Sequence, residues 1–233
     1  MTLTGNLRHR HSGDDSRGFS WLGSDVVQIR SRLEWGRTIA TQRTASITPA
    51  SDEERAIATI TTAFSADPVA RWFIHDSARY LKYFAPFVKA FGGRAFENGS
   101  ADVADDFAGV ALWVPPGVGL DEEAMDERAA EAVPESEHEE RFGFLGQMDE
   151  FHPTESHWYL PLMGVDPPCI GRGLGSALLR HGIARSDKDG VPCYLEATSS
   201  LNKALYARHG FEEIGVIQFG TSPPLWPMVR KPR

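Results

Sequence analysis

The sequence holds two cysteines in 233 residues, Cys169 and Cys193, 24 positions apart and with no C-x-x-C pair. That excludes a disulfide framework and a zinc knuckle, and it fits a reducing, cytoplasmic setting. No run approaches the roughly 18 apolar residues that a bilayer span requires, and the N-terminus lacks a compact apolar stretch followed by a small-residue cleavage site. Neither a membrane nor a secretory role is expected. A long basic stripe of the kind a phosphate-backbone binder needs is also missing, so no nucleic-acid partner is expected. The eight histidines are scattered without H-E-x-x-H or other ligand spacing, and no metal site is expected. What remains is a chain with 41% hydrophobic and 24% charged residues, long enough for one domain with a hydrophobic core and an appendage.

The net charge of −8 has a location. Residues 121–140 hold ten acids and one base, Arg128, so that segment contributes −9 and the rest of the chain +1. Such a run is either a solvated helix face or a field that draws in a cationic amine.

Residues 1–44, rich in Arg, Ser, Thr and Gly, read as a poorly ordered appendage, with Val26, Ile29, Leu33 and Trp35 suggesting a short amphipathic turn. A domain is expected over residues 45–233. It opens with a short strand at 46–49 and a helix capped by Ser51 with Glu54 three positions on, carrying Ile57, Ile60 and Phe64 on one face and ended by Asp67-Pro68. Tyr80, Tyr83, Phe84, Phe87 and Phe91 recur at helical spacing up to Gly92-Gly93; these rings are core or line a pocket for an aromatic substrate. Residues 101–114 read as a strand pair ended by Pro115-Pro116-Gly117, and a helical stretch runs through Phe142, Leu145 and Met148. Strand 157–165, a Gly-rich turn, helix 176–186, strand 192–197, helix 202–209 and strands near 211–219 and 226–230 complete an α/β order.

The turn carries the chemistry. Gly171, Gly173 and Gly175 lie between an apolar strand and an apolar helix, where glycine lets the backbone present amides to an anion at a helix N-terminus. A P-loop would need a Lys after Gly175, and none is there. A Rossmann fingerprint would need a third glycine where Ser176 stands; Glu196 falls about 20 residues on, but only 37 residues follow it, too few for the missing βα units.

The run 170–175 resembles the Q/R-x-x-G-x-G/A motif of the GNAT-superfamily N-acetyltransferases, with Gly173 and Gly175 at the two glycine positions and Ile170 where that family prefers Gln or Arg. Upstream, 158–167 looks like the family's fourth strand with its V-x-P turn; downstream, 202–211 is similar to its N-x-x-x-x-Y-x-x-x-G-F signature. From about Ile47 to Pro232 the chain is similar to the puromycin N-acetyltransferase-like branch. The resemblance implies an α/β (α+β) GNAT fold: a mixed, mostly antiparallel sheet of about six to seven strands flanked by helices and splayed at the fourth and fifth strands. It implies acetyl-CoA as cosubstrate, bound by Met163, Gly164, Val165, Gly171, Arg172, Gly173, Gly175, Ser176 and Asn202, with Gly164 expected at a bulge that frees an amide. It also implies Tyr206 as the hydrogen-bond donor and acid at the sulfur and Glu196 as the group that takes the amine proton or orients the substrate. His152 and His157 are further candidates for the base. The expected acceptor is a small-molecule amine, antibiotic-like or aromatic, and the expected protein is a monomer or homodimer. A GNAT-fold sensor or partner module that binds an acyl-CoA with little catalysis is the alternative, and Tyr206 favours the enzyme.

Overall fold

The computed structural model describes residues 44–233; the appendage expected over 1–44 lies outside them except for Thr44. Seven strands, β1 (Ile47–Pro49), β2 (Ala101–Ala104), β3 (Gly109–Val114), β4 (Trp158–Val165), β5 (Cys193–Ala197), β6 (Glu212–Glu213) and β7 (Trp226–Arg230), form one sheet in the order β1-β2-β3-β4-β5-β7-β6. Every neighbouring pair is antiparallel except β4 and β5. The helices are α1 (Glu53–Ala63), α2 (Pro68–Phe73), α3 (Ser77–Gly92), α4 (Arg94–Glu97), α5 (Glu122–Ala132), α6 (His138–Phe151), α7 (Leu174–Asp189) and α8 (Ser200–Arg208).

Several boundaries differ from the sequence reading, each for a local reason. Asp52, not Ser51, caps α1, its carboxylate accepting from the Arg55 amide. Asp67-Pro68 starts a helix rather than ending one: Asp67 accepts from the amides of Val69 and Ala70, and Pro68 occupies the first helical position, where its missing N–H costs nothing. β3 begins at Gly109 instead of Phe107, because Asp105, Asp106 and Phe107 all take positive φ and form the turn from β2. The strand expected near 211–219 shrinks to β6 and a single bridge between Ile217 and Leu225.

The sheet separates two apolar clusters. On one face Ile57, Ile60, Phe84, Phe91 and Ala132, from α1, α3 and α5, cover Val110, Leu112, Tyr159, Leu162 and Tyr194. On the other, Leu174, Leu178, Leu179 and Ile183 of α7 and Tyr206 of α8 cover Trp113, Trp158, Leu160, Cys193 and Leu195. β4 changes its facing between these sets. Leu112 pairs with Leu162 but Val114 pairs with Tyr159, so β4 carries one extra residue in the stretch that includes Pro161. A bulge is where a strand tolerates proline, and it puts Tyr159 and Leu162, three positions apart, on the same face. The irregularity is therefore at Pro161 and not at Gly164, which stays in register with Val110. Gly164 is glycine for another reason: a Cβ there would lie 2.6 Å from that of Ala63, so its absence lets α1 approach β4.

β4 pairs with β5 only at Trp158–Cys193 and Tyr159–Tyr194; beyond them β5 continues along β7 while β4 stays with β3. The sheet thus opens into a cleft bounded by residues 160–165 on one side and 195–197 on the other. α7 holds the two halves together, Arg185 pairing with Asp102 of β2 at 2.8 and 2.6 Å and Asp187 accepting from Arg230 of β7 at 2.8 and 3.0 Å.

α7 lies close against the sheet at Gly182, where a Cβ would fall 2.1 Å from the Trp113 ring, itself without solvent contact. Gly182→Ala is expected to destabilise the fold by roughly 1–3 kcal/mol through overpacking, overriding alanine's helix advantage of about 1 kcal/mol. Urea denaturation of the two proteins checks this, and an unchanged or raised midpoint contradicts it.

Candidate active site

α7 has no side-chain cap. Its N-cap residue is Gly173 at φ 81°, preceded by Gly171 at φ 84°, and a Cβ on either would meet nothing within 4 Å. The two glycines are needed for backbone direction, not for space, since side-chain-bearing residues are strained in the left-handed region. The amides of Leu174, Gly175 and Ser176, in the first turn of a 16-residue helix, are left to solvent or an anion at the positive end of the helix dipole. Gly175 has a different role: a Cβ there would sit 3.5 Å from Leu205 and 3.9 Å from both Met163 and Val165, so the cradle lies against β4 and α8 at the cleft. The loop fits a pyrophosphate by this geometry.

On the facing strand the backbone alternates. The Asp166 amide donates to Ala108 at 3.0 Å, and Gly164 pairs with Val110 in the same register. Amides of a strand point to opposite sides at successive residues, so Gly164 is committed to β3 while Met163 and Val165 face the cleft that β5 has left.

A polar cluster closes the cleft from the other side. Tyr159 donates to Glu196 Oε2 at 2.9 Å, and Thr198 donates to Asp67 while accepting from the Asn202 side chain at 3.2 Å. Glu196 Oε1 and the Tyr194 hydroxyl are out of contact with solvent and have no partner among the described residues. Burial pushes the Glu196 carboxyl up to about 7, outweighing its hydrogen bond from Tyr159 and the opposing effect of the Tyr194 hydroxyl, which approaches without a hydrogen bond of its own. Burial likewise raises the pKa of Asp67. Tyr206 is buried, and desolvation, then the charges of Asp67 and Glu196, hold its proton more tightly than an ordinary tyrosine's. Tyr206 packs on the α7 and α8 face and Glu196 lines the cavities on the other, near enough for the Glu196 charge to act on the Tyr206 proton.

Two cavities reach Glu196. One of about 90 Å³ is apolar, lined by Phe64, Phe84, Phe87, Phe91 and Phe144 with Asp67 and Thr198 at its polar end. The other, about 780 Å³, is bounded by the loop after β3, by α5, by the end of α6 and by residues 152–157. His152 and His157 line it with their Nε2 atoms 3.1 Å apart, and burial, then the neighbouring His157, lowers His152 to about 4, leaving it neutral at pH 7.

Of the residues singled out in the sequence, Met163, Val165 and Gly175 come together at the cleft, Gly171 and Gly173 shape the turn before α7, Glu196 borders the opening on β5, and Tyr206 is buried within reach of the Glu196 charge. Gly164 does not present its amide there. Arg172 is exposed, with its guanidinium 3.2 Å from Cys169 Sγ and 3.6 Å from Asp105. Ser176 contacts His209 at 3.1 Å and Asn202 serves Thr198, so both side chains are engaged within the molecule. Asp67, Thr198, Tyr159 and Tyr194 were not foreseen; the only local signal was Asp67-Pro68, a helix-start pair. The aromatic helix proves to be both core and cavity wall. In the acidic run, Glu127, Glu131, Glu137 and Glu140 pair with Arg128 or Arg141, while Glu122 and Asp126 line the large cavity. Among the described residues there is no cluster of three or more His, Cys, Asp or Glu placed to hold a metal ion, and no helix is long and apolar enough to cross a membrane.

Residues 132–213 match the model of the acetyltransferase (GNAT) domain. An uncharacterised N-acetyltransferase of Schizosaccharomyces pombe is 27% identical over 200 residues, 78% of this chain and 81% of its own. A solved structure of a histone acetyltransferase HPA2 and related acetyltransferase from Corynebacterium glutamicum superposes with a TM-score of 0.59 at 28% identity, covering 82% of this chain and 97% of that one. Arylalkylamine N-acetyltransferase 2 of Aedes aegypti shares the fold, with a TM-score of 0.57 at 13% identity over 81% of this chain and 99% of that one.

The raised pKa of Glu196 has a consequence for stability. The folded protein holds that proton up to about pH 7 against an ordinary value of 4.5, so its stabilising contribution is complete below the ordinary value and is lost as pH rises to about 7. Glu196→Gln is therefore expected to gain roughly 1–3 kcal/mol over wild type between pH 4.5 and pH 8. Parallel denaturation at the two pH values checks it, and a pH-independent difference contradicts it.

Proposed function

We propose that this chain, an N-acetyltransferase carrying a GNAT-superfamily acetyltransferase domain, transfers the acetyl group of acetyl-CoA to the amine of a small molecule by direct attack in a ternary complex. The observation that carries the reading is the cleft itself. Uncapped amides of α7 and free amides of β4 lie on one side of it, and the buried Glu196 carboxyl with two cavities on the other. Residues 45–233 form the catalytic domain in this reading, within a cytoplasmic monomer or homodimer, and the likeness of Ile47 to Pro232 to the puromycin N-acetyltransferase-like branch agrees with an amine bearing an aromatic or alkyl group in the apolar cavity.

The pyrophosphate of the cosubstrate lies on the amides of residues 173–176, and its pantetheine arm runs along β4. The acceptor enters as an ammonium and loses a proton to Glu196, directly or through one water; a carboxylate titrating near 7 suits that exchange. The neutral nitrogen attacks the thioester carbon, a C–N bond forms, and the carbonyl oxygen takes up negative charge beside the amides of Met163 and Val165. When the C–S bond breaks, Tyr206 donates to the departing sulfur. Because its proton is held tightly, transfer to the thiolate completes only as the nitrogen gives up its second proton, which restores the tyrosine through solvent. The net products are the amide, the free thiol of coenzyme A and one proton from the original ammonium.

Thiol release from acetyl-CoA in the presence of a panel of amines tests the proposal. Wild type is expected to release thiol only with an amine, with kcat/KM rising through an apparent pKa near 7. Tyr206→Phe is expected to lose about 10²-fold in kcat while retaining acetyl-CoA binding. Binding of acetyl-CoA without amine-dependent release would favour the sensor or partner-module alternative.

A further inference from the structure

The large cavity has a charge pattern that acetyl transfer alone does not require. Glu196 lines it together with four further carboxylates, Glu122, Asp126, Asp149 and Glu155, and no Lys or Arg stands among the described lining residues. None of these four makes an ion pair among the described residues, although Glu127, Glu131, Glu137 and Glu140 of the same acidic region all do. Glu122 and Asp126 are one helical turn apart on α5, which Arg79 fixes by donating to the carbonyls of Ala132 at 2.8 Å and Glu131 at 2.6 Å. Asp149 lies in the last turn of α6, the negative end of that helix, where no basic residue accompanies it. Its carboxyl is raised in pKa by burial and then by Glu122 and Asp126, so these groups share one field, and Asp149 in turn acts on Glu196, Tyr159 and Tyr194. Glu196 Oε1 has no partner among the described residues, and neither has the hydroxyl of the fully buried Tyr194, whose ring packs against the cavity-lining His152, His157 and Tyr159. The cavity lining thus gathers five carboxylates with no counter-ion among the described residues.

We infer that this acidic wall is a second-charge subsite. The acceptor carries, beyond the amine to be acetylated, another cationic group, as in a diamine or a guanidino-amine, which rests between Asp149 and the Glu122–Asp126 pair. The inference rests on the acetyltransferase reading above. A volume of about 780 Å³ suits a compact small molecule, and the same field disfavours amines with a carboxylate at the far end.

The test uses the full chain at saturating acetyl-CoA with three linear acceptors of equal length: a diamine, the monoamine with a methyl group in place of the far ammonium, and the amino acid with a carboxylate there. The diamine is expected to exceed the monoamine in kcat/KM on the order of tenfold, with the preference shrinking in added salt and the amino acid poorest. Glu122→Gln combined with Asp126→Asn is expected to erase most of that preference by raising KM for the diamine. Unchanged monoamine kinetics would show that the variant is folded. Equal kcat/KM for diamine and monoamine in wild type, or an undiminished preference in the double variant, would overturn the inference. So would a lysine-rich peptide that outperforms the diamine. Failure of all three acceptors to release thiol, with acetyl-CoA still bound, would count instead against the acetyltransferase reading on which it stands.

Discussion

Parallel pairing between β4 and β5 stops after two residue pairs, and the rest of the molecule is arranged around that interruption. β4 keeps its ladder with β3, β5 keeps its ladder with β7, and the backbone groups between them are left without strand partners. Unpaired backbone amides in a protein interior are costly unless something meets them. Here α7 brings its own uncapped N-terminus to the same opening, with Gly175 allowing the close approach to Met163, Val165 and Leu205. The ion pairs from α7 to β2 and β7 keep the two halves of the sheet at a fixed separation. A gap held open by rigid elements is pre-organised, so little ordering cost remains when an extended ligand replaces the missing strand contacts.

The two faces of the sheet carry different groups. The α7–α8 face carries the uncapped amides and Tyr206; the opposite face carries Glu196, its partner Tyr159 and the cavities. The bulge near Pro161 makes this division possible, because it turns Tyr159 toward Glu196 while Met163 and Val165 remain on the cradle side. One extra residue in β4 therefore sets which side chains face the cavities and which backbone amides face the cleft.

Much of this was legible in the sequence, and the limits have physical causes. The cradle could be read because glycine at left-handed positions and an apolar helix behind them are local requirements, confined to residues 170–179. Tyr206 and Glu196 could be named only from the resemblance carried by the segments that flank that loop, not from a local physical requirement. The partners of Glu196 could not, since Tyr159 is 37 positions away and reaches it only through a parallel pairing and a bulge that no local pattern announces. Asp67 was misjudged because an Asp-Pro pair serves equally as a stop and as a start. Gly164 was misassigned because a glycine in a strand marks either a bulge or a close approach, and only the position of Ala63 distinguishes them.

Amide hydrogen exchange with and without acetyl-CoA tests the central claim directly. If the cleft and the cradle together receive the cosubstrate, exchange should slow at Met163 and Val165 and at residues 174–176, while Gly164, already committed to β3, should show little further protection. Equal protection along 163–165, or none at either the strand or the start of α7 with the ligand bound, would contradict the account.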